Sequence, residues 1–347
     1  MQSSDITDQF LKVCAELPPY CRDFFTAKND QYMPKTKLAY AWDYRIFFYY
    51  LVSTGLSNAP SISQVPLSLL DELKPLDISA YMMYLDKYQM PDFETGEMRI
   101  YRNSQSGKQR KLASLRAFYK YFQKMDRLKN NPAALVEHPK SRAKEKIVLS
   151  DREVALLKEE AATGHSKSPR AQKYHEKTKY RDTAILSLFL GTGLRISELV
   201  GIDLFDLDEN EQKVLVLRKE GNREFVYFNS TVLSDLQEYI EHERPVLTKT
   251  DPEKTRREDG PLFVSNRGTR ISVLRVEQIV KEYASFVLPP SVKVTPHALR
   301  KTFGTKLYLK YRDLALVQHA LGHATPATTE RFYTKFDEKL LEALRDE

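Results

Sequence analysis

Cysteine is nearly absent from this chain: Cys14 and Cys21 are the two in 347 residues. They match no zinc-ligand spacing and build no disulfide framework, which fits a reducing compartment. Long hydrophobic runs are missing too. The most apolar stretches, such as IFFYYLV at 46–52, are far too short to cross a bilayer. The amino-terminal MQSSDITDQF is polar and unlike a signal peptide. These absences predict a cytoplasmic protein with no membrane partner. No Walker-type phosphate loop occurs. The histidines are spaced with Arg and Lys rather than with Asp or Cys, so no metal cage is visible. No cofactor is therefore expected, and there is no internal repeat or low-complexity tract.

Positive charge, in contrast, is concentrated. The net charge of the whole chain is +7. Residues 99–146 alone hold 14 Lys/Arg against Asp126, Glu137 and Glu145, a local +11. A stripe more basic than the entire protein is the electrostatic footprint of a polyanion partner. The segment SGKQRKLASLRAFYKYFQKM divides into two faces. Leu112, Leu115, Phe118, Tyr119 and Phe122 form an apolar stripe, and Arg110, Lys120 and Lys124 lie opposite, around the small Ala113, Ser114 and Ala117. Small residues flanked by cations let a helix approach a groove closely.

The periodicities predict two domains. The first, residues 1–137, is helical: LAYAWDYRIFFYYL carries Leu38, Trp42, Ile46 and Tyr49/Tyr50 at helical spacing, and a further helix is expected from about Pro75 to Tyr88. Two prolines and a charge run mark 138–147 as a linker. The second domain, 148–347, opens with a helix whose Ser150 and Glu153 form a capping box. RDTAILSLFL reads as a buried helix ending at Gly191. KVLVLRKEGNREFVYF reads as two strands about a turn at Glu220-Gly221-Asn222. Further helices are expected over about 230–243, 272–286, 296–310, 313–320 and 326–332, with a tail helix at 336–347. The fold class is mainly α with a small antiparallel β-sheet.

Residues 295–301 read TPHALRK. Thr295 suits an N-cap and Pro296 the first helical position, so His297 and Arg300 share one face of a first turn. Backbone N–H groups and the positive end of the helix dipole point the same way, a corner suited to phosphate. Three other stretches bear on it. GTGLRISEL places Arg195 after a glycine-flanked turn with Glu198 one turn on, RKEGNRE places Lys219 at a hairpin tip, and LGHATPATTERFY holds His323 and Tyr333.

Taken in this order, the set resembles the tyrosine recombinases, the phage-integrase and Xer family. Through the opening LPPYCRDFFTAK, the Tyr/Phe-rich second helix and VKVTPHALRKTFGTKLY the chain most resembles the single-subunit Xer recombinases of streptococci and lactococci. The family pattern of Arg, Lys, His-x-x-Arg, His and Tyr maps to Arg195, Lys219, His297 with Arg300, His323 and Tyr333. Glu220 interrupts the tighter turn usual after the lysine, which leaves Lys213 as the alternative. The resemblance implies a two-domain DNA clamp: a helical core-binding domain followed by a catalytic domain. It implies a DNA strand transferase that attacks a phosphodiester with Tyr333 and forms a 3′-phosphotyrosine. Arg195, Arg300, His297 and His323 would hold the phosphate, Lys219 would protonate the leaving oxygen, and Glu198 would orient the site from behind. Thr36, Lys37, Tyr40, Lys108, Arg110, Lys111, Lys120 and Lys124 are the candidate DNA contacts. The implied partners are double-stranded DNA bearing a roughly palindromic site, three further copies of the chain in a tetramer, and a DNA translocase or accessory factor. Xer-like chromosome dimer resolution is the expected role. Integration or excision of a mobile element is the enzymatic alternative, and a catalytically silent DNA-binding protein the alternative of another class.

Overall fold

The computed structural model describes residues 3–137, 147–218, 221–249 and 260–322. The chain divides into two compact units, Met1–Ala143 and Lys144–Glu347. Among the described residues no helix is long and apolar enough to cross a membrane.

The first unit comprises α1 (Ser3–Glu16), α2 (Tyr20–Ala27), α3 (Pro34–Ser53), α4 (Leu67–Glu72) and α5 (Pro75–Tyr84). A hairpin follows, β1 (Tyr88–Pro91) with β2 (Met98–Tyr101), then α6 (Gln105–Lys124) and α7 (Pro132–Leu135). Proline at the first position starts α3, and Ser104 caps α6 by accepting from the Gly107 amide at 3.2 Å. The expected apolar stripe of α6 is the core face: Leu112, Leu115, Phe118, Tyr119 and Phe122 are all buried. Facing it across the unit is α3, whose core face differs from the expected one. Ala41, Tyr44, Phe47, Phe48 and Leu51 are buried, as is Tyr50 of the expected set, whereas Leu38, Trp42, Ile46 and Tyr49 are half-buried. Because α3 packs against both α1 and α6, it is apolar nearly all round, and period alone cannot choose its inner side. Rings fill the space between: Tyr44 lies 4.7 Å from Phe118, and Phe118 lies 4.8 Å from Phe122.

Two other expectations are corrected in this unit. The helix starting at Pro75 stops at Tyr84, and Tyr88 instead opens a strand in register with Tyr101. Stacking of Tyr88 on Tyr84 (5.1 Å) and on Tyr101 (5.4 Å) favours the pleated form, which suits aromatic residues. In α6, Ser114 is not on the basic face. It is fully buried, and its carbonyl accepts from the Tyr44 hydroxyl at 3.1 Å.

The second unit is built on α8 (Asp151–Thr163), α9 (Pro169–His175), α10 (Lys179–Thr192) and α11 (Ile196–Gly201). Strands β3 (Leu207–Asp208), β4 (Lys213–Leu217) and β5 (Arg223–Tyr227) form an antiparallel sheet in that order. Then come α12 (Ser230–Glu238), a π-helical turn over Tyr239–Glu243, α13 (Arg244–Thr248), α14 (Val273–Val287), α15 (Pro296–Tyr311) and α16 (Leu314–Leu321). The capping box of α8 forms as expected, with Ser150 and Glu153 exchanging bonds. Helix α10 is the spine: Ala184, Ile185, Leu186, Leu188 and Phe189 are fully buried among α8, α12 and α15. It runs past Gly191 and ends at Thr192. Gly191 stays helical because α12 comes close there; a Cβ would stand 2.5 Å from Val232. Gly193 is the left-handed cap, with φ +65, and a Cβ on it would lie 2.4 Å from the Phe303 ring.

Candidate active site

The first turn of α15 forms as its sequence dictates. Thr295 caps it through the Ala298 amide at 3.3 Å, and Pro296 occupies the first position. His297 faces outward and Arg300 inward, 4 % exposed. Partial desolvation, then the cations Lys301, Arg300 and Arg195, hold the His297 pKa below the ordinary histidine value, although much of its ring reaches solvent. The imidazole is therefore neutral near pH 7, one nitrogen donating and one accepting.

Arg195 is the N-cap of α11. Its amide donates to Glu198 Oε2 at 2.8 Å, and its Nη1 to Glu198 Oε1 at 2.6 Å. Glu198 is not a helix-surface carboxylate, since its side chain is 2 % exposed. A buried carboxylate requires cations, and three surround it. Besides Arg195, Arg218 Nη1 donates to Oε2 at 3.1 Å, and Arg300 Nη1 stands 4.0 Å away.

The same three arginines meet the carboxyl end of α16. Arg218 donates to the carbonyl of Ala320 at 3.3 Å, Arg300 to that of Leu321, and Arg195 to that of Gly322 at 2.8 Å. The last carbonyls of a helix have no partner within it and carry the negative end of its dipole. Three successive ones are here met by three guanidiniums. Arg300 also donates to the Gly193 carbonyl at 2.6 Å, tying the cap of α10 to the cluster. The structure thus gathers Arg195, Glu198, His297 and Arg300 from the segments the sequence singled out. A depression of about 400 Å³ lined by Arg195, Ser197, Glu198, Gly201, Leu217 and Arg218 adjoins them.

Lys219, His323 and Tyr333 lie outside the described residues, as does the tail 336–347. The alternative lysine, Lys213, sits at the far end of β4 from the hairpin turn. It pairs with Tyr227 across the sheet, holds Asp208 at 3.5 Å and lies over the Phe225 ring. Sequence reasoning missed Arg218. The signal was the period of the strand: Val214 and Val216 point inward, and Arg218 continues their side.

In the first unit, α6 exposes Arg110, Ala113, Lys120 and Lys124. Lys108 and Lys111, also candidate DNA contacts, are elsewhere. Lys108 is 7 % exposed and bonded to Asp86 at 2.7 Å; Lys111 is 6 % exposed and 3.6 Å from Asp43. Both stand on the flank of α6 that meets neighbouring elements, so their charge serves packing. Arg110 reaches back to Asp43 at 2.5 Å with its side chain 44 % exposed. Burial raises the Asp43 pKa, against the pull of Lys111 and Arg110. Thr36, Lys37 and Tyr40 open α3 and are half-buried. Lys37 donates to Asn29 at 2.8 Å, and Tyr40 packs on Tyr32.

Comparison with known proteins decides the family. Residues 169–339 match the phage integrase family. Tyrosine recombinase XerS of Lactococcus lactis subsp. cremoris is 30 % identical over 366 aligned residues, which span 99 % of each chain. This chain belongs to the tyrosine recombinases. They are enzymes that cut and rejoin DNA, and the recombinase described here is mostly helical with small antiparallel sheets, as that fold is. The crystal structure of the XerH site-specific recombinase bound to a palindromic difH substrate aligns with a TM-score of 0.59. It is 19 % identical, over 89 % of this chain and 96 % of that one. The Tn1549 transposon integrase bound to transposon right-end DNA aligns at 0.57 and 21 % identity, over 86 % and 92 %. At those identities the two structures speak for the fold alone.

Proposed function

We propose that this recombinase acts at a specific, roughly palindromic site on duplex DNA, as a tetramer joining two sites, in Xer-like chromosome dimer resolution. The single observation that supports it most is the arginine cluster: Arg195 and Arg300 converge on one buried carboxylate, with His297 beside them, in the order the family uses. Residues 1–137 form a core-binding domain and residues 148–347 the catalytic domain, joined by the linker 138–147. The surface cations of α6 meet DNA phosphates. A DNA translocase or accessory factor assists, and the tail 336–347 docks on a neighbouring copy. Likeness to a Xer relative along the whole chain favours the chromosomal role over mobile-element integration.

In this reading Tyr333 is the nucleophile. A phenol has a pKa near ~10, so its proton must be taken up as it attacks, and His323 assists. The phosphodiester gains negative charge in the transition state. Planar, charge-assisted forks from Arg195 and Arg300 hold its non-bridging oxygens, and His297 adds a donor. Lys219, which follows β4 in the sequence, protonates the leaving 5′ oxygen. The 3′-phosphotyrosine keeps the bond energy of the diester, so rejoining needs no nucleotide cofactor.

The test is covalent capture. Incubated with a nicked suicide substrate, the wild type should give a protein–DNA band that resists denaturant, and Tyr333→Phe should bind without giving it. A band of wild-type intensity from Tyr333→Phe, or none from the wild type, would overturn the reading.

A further inference from the structure

We infer that Arg218 is a positioning residue of the strand-cutting centre: it locks the Glu198 carboxylate and the end of α16 in the arrangement that aims Arg195 at the phosphate. The inference deepens the recombinase reading and rests on it.

Arg218 follows directly on β4, and its side chain is 7 % exposed. A guanidinium this buried persists only where acceptors surround it. It donates to three, on three different elements. Nε bonds Glu224 Oε2 on β5 at 2.8 Å, Nη1 bonds Glu198 Oε2 on α11 at 3.1 Å, and Nη2 bonds the Ala320 carbonyl on α16 at 3.3 Å. Two of these acceptors are carboxylates, which hold a guanidinium more firmly than the carbonyls bonded to Arg300, so Arg218 acts through its partners.

The principal partner is Glu198. The Arg195 guanidinium takes Oε1, and Oε2 is shared by the Arg195 amide and Arg218, so both carboxylate oxygens are committed and the carboxylate cannot turn. Without Arg218 the Arg195 amide still bonds Oε2, but the side-chain cation left near that oxygen among the described residues is Arg300, 4.0 Å away. Glu198 would then be drawn between two phosphate-binding arginines instead of serving one. The second link is the end of α16, where Arg218, Arg300 and Arg195 take successive carbonyls. Gly322 is fitted to this contact: its φ is +57, and a Cβ there would stand 2.9 Å from the Arg218 guanidinium carbon. Arg218 thereby also fixes the backbone that leads into His323.

The experiment compares Arg218→Met, of similar length without charge, with Arg218→Lys. Cleavage is timed on two saturating substrates, one with an ordinary scissile phosphate and one with a neutral methylphosphonate there. Arg218→Met should bind a half-site as the wild type does. It should cleave the phosphodiester on the order of 10–100-fold more slowly, the loss typical of a partner that orients another ligand. On the methylphosphonate the gap to wild type should narrow several-fold, because the charge that Arg195 stabilises is gone. Arg218→Lys should fall between. A purely structural role predicts the same loss on both substrates and no gain from lysine; either that pattern or a wild-type rate from Arg218→Met would overturn the inference. If Arg218→Met does not fold, Arg218→Lys alone decides, by whether its gap narrows on the methylphosphonate. Absence of cleavage by the wild type would instead refute the recombinase reading underneath.

Discussion

Replacing Glu198 by Gln removes one charge and almost no volume, and it isolates the electrostatics of the arginine cluster. The carboxylate is 2.6 Å from Arg195, 3.1 Å from Arg218 and 4.0 Å from Arg300, and its side chain is 2 % exposed. Removing one partner of a buried ion pair costs ~3–5 kcal/mol, because the charge left behind is uncompensated. Here both guanidiniums keep other acceptors. Arg195 retains the Gly322 carbonyl, and Arg218 retains Glu224 and the Ala320 carbonyl. Glutamine can also still accept from the Arg195 amide, so the helix cap survives. The lower end of the range, ~3 kcal/mol, is therefore expected. For a unit of about 200 residues each kcal/mol moves the melting point by ~2–4 °C, so the transition should fall by roughly 6–12 °C. Glu224→Gln is the control. That carboxylate also binds Arg218, but it is 31 % exposed. Screening limits such a pair to ~0–1 kcal/mol, so its melt should drop by no more than ~4 °C. Calorimetry of the DNA-free protein, with covalent capture on the same samples, reads both. Equal shifts from the two variants, or a Glu198→Gln transition within ~2 °C of wild type on the same scale, would refute the placement of this charge at the centre of the cluster.

Two further outcomes follow from other parts of the molecule. Lys120→Glu with Lys124→Glu should weaken DNA binding and flatten its salt dependence by about one unit per lost phosphate contact, whereas Lys108→Met and Lys111→Met should lower the melting point and leave the salt slope alone. Titrating binding at several salt concentrations separates the two, and a slope that falls with Lys108 or Lys111 would contradict their pairing with Asp86 and Asp43. Burial pushes Glu243 up to about 8, against Arg181 and with help from Asp182. Its folded value is raised above the ordinary 4.5, so the protonated form stabilises the fold. That contribution is whole below about 4.5 and is lost as pH rises towards 8. Glu243→Gln should therefore melt higher than wild type at pH 8.5 and converge with it towards pH 5. Parallel melting curves across that range would exclude the shift.

How much of this was readable beforehand depends on the range of the contacts involved. The first turn of α15 was legible because its determinants are adjacent: Thr295 caps, Pro296 fits the first position, and His297 and Arg300 are three apart on one face. Arg195 and Glu198 are likewise three apart, and the α8 capping box is local. The faces of α3 were not legible, because a helix enclosed on several sides has no single apolar stripe. Gly191 looked like a helix end, yet it is a helical glycine demanded by Val232 on α12, a residue about forty positions away. Lys108 and Lys111 show the same limit with opposite consequences. Counted along the chain they strengthened a basic stripe, but Asp86 and Asp43, brought in by other elements, bury them.

The arginine cluster combines the two kinds of information. Each pairing within a segment was visible, but the reason for assembling them is the end of α16. Three orphan carbonyls there are met by guanidiniums from the N-terminus of α11, the end of β4 and the first turn of α15. No spacing in the sequence links residues 195, 218 and 300 to 320–322. A buried Glu198 cannot stand without cations, and the carbonyls cannot stand without donors. Glu198 and the carbonyls therefore compete with a phosphate for the same guanidiniums. Arg218, the one of the three bonded to two carboxylates, is the one that cannot leave. It can hold Glu198 and Ala320 while Arg195, 31 % exposed, exchanges the Gly322 carbonyl for a phosphate oxygen. The centre thus needs a third arginine that does not touch DNA, so that the other two can.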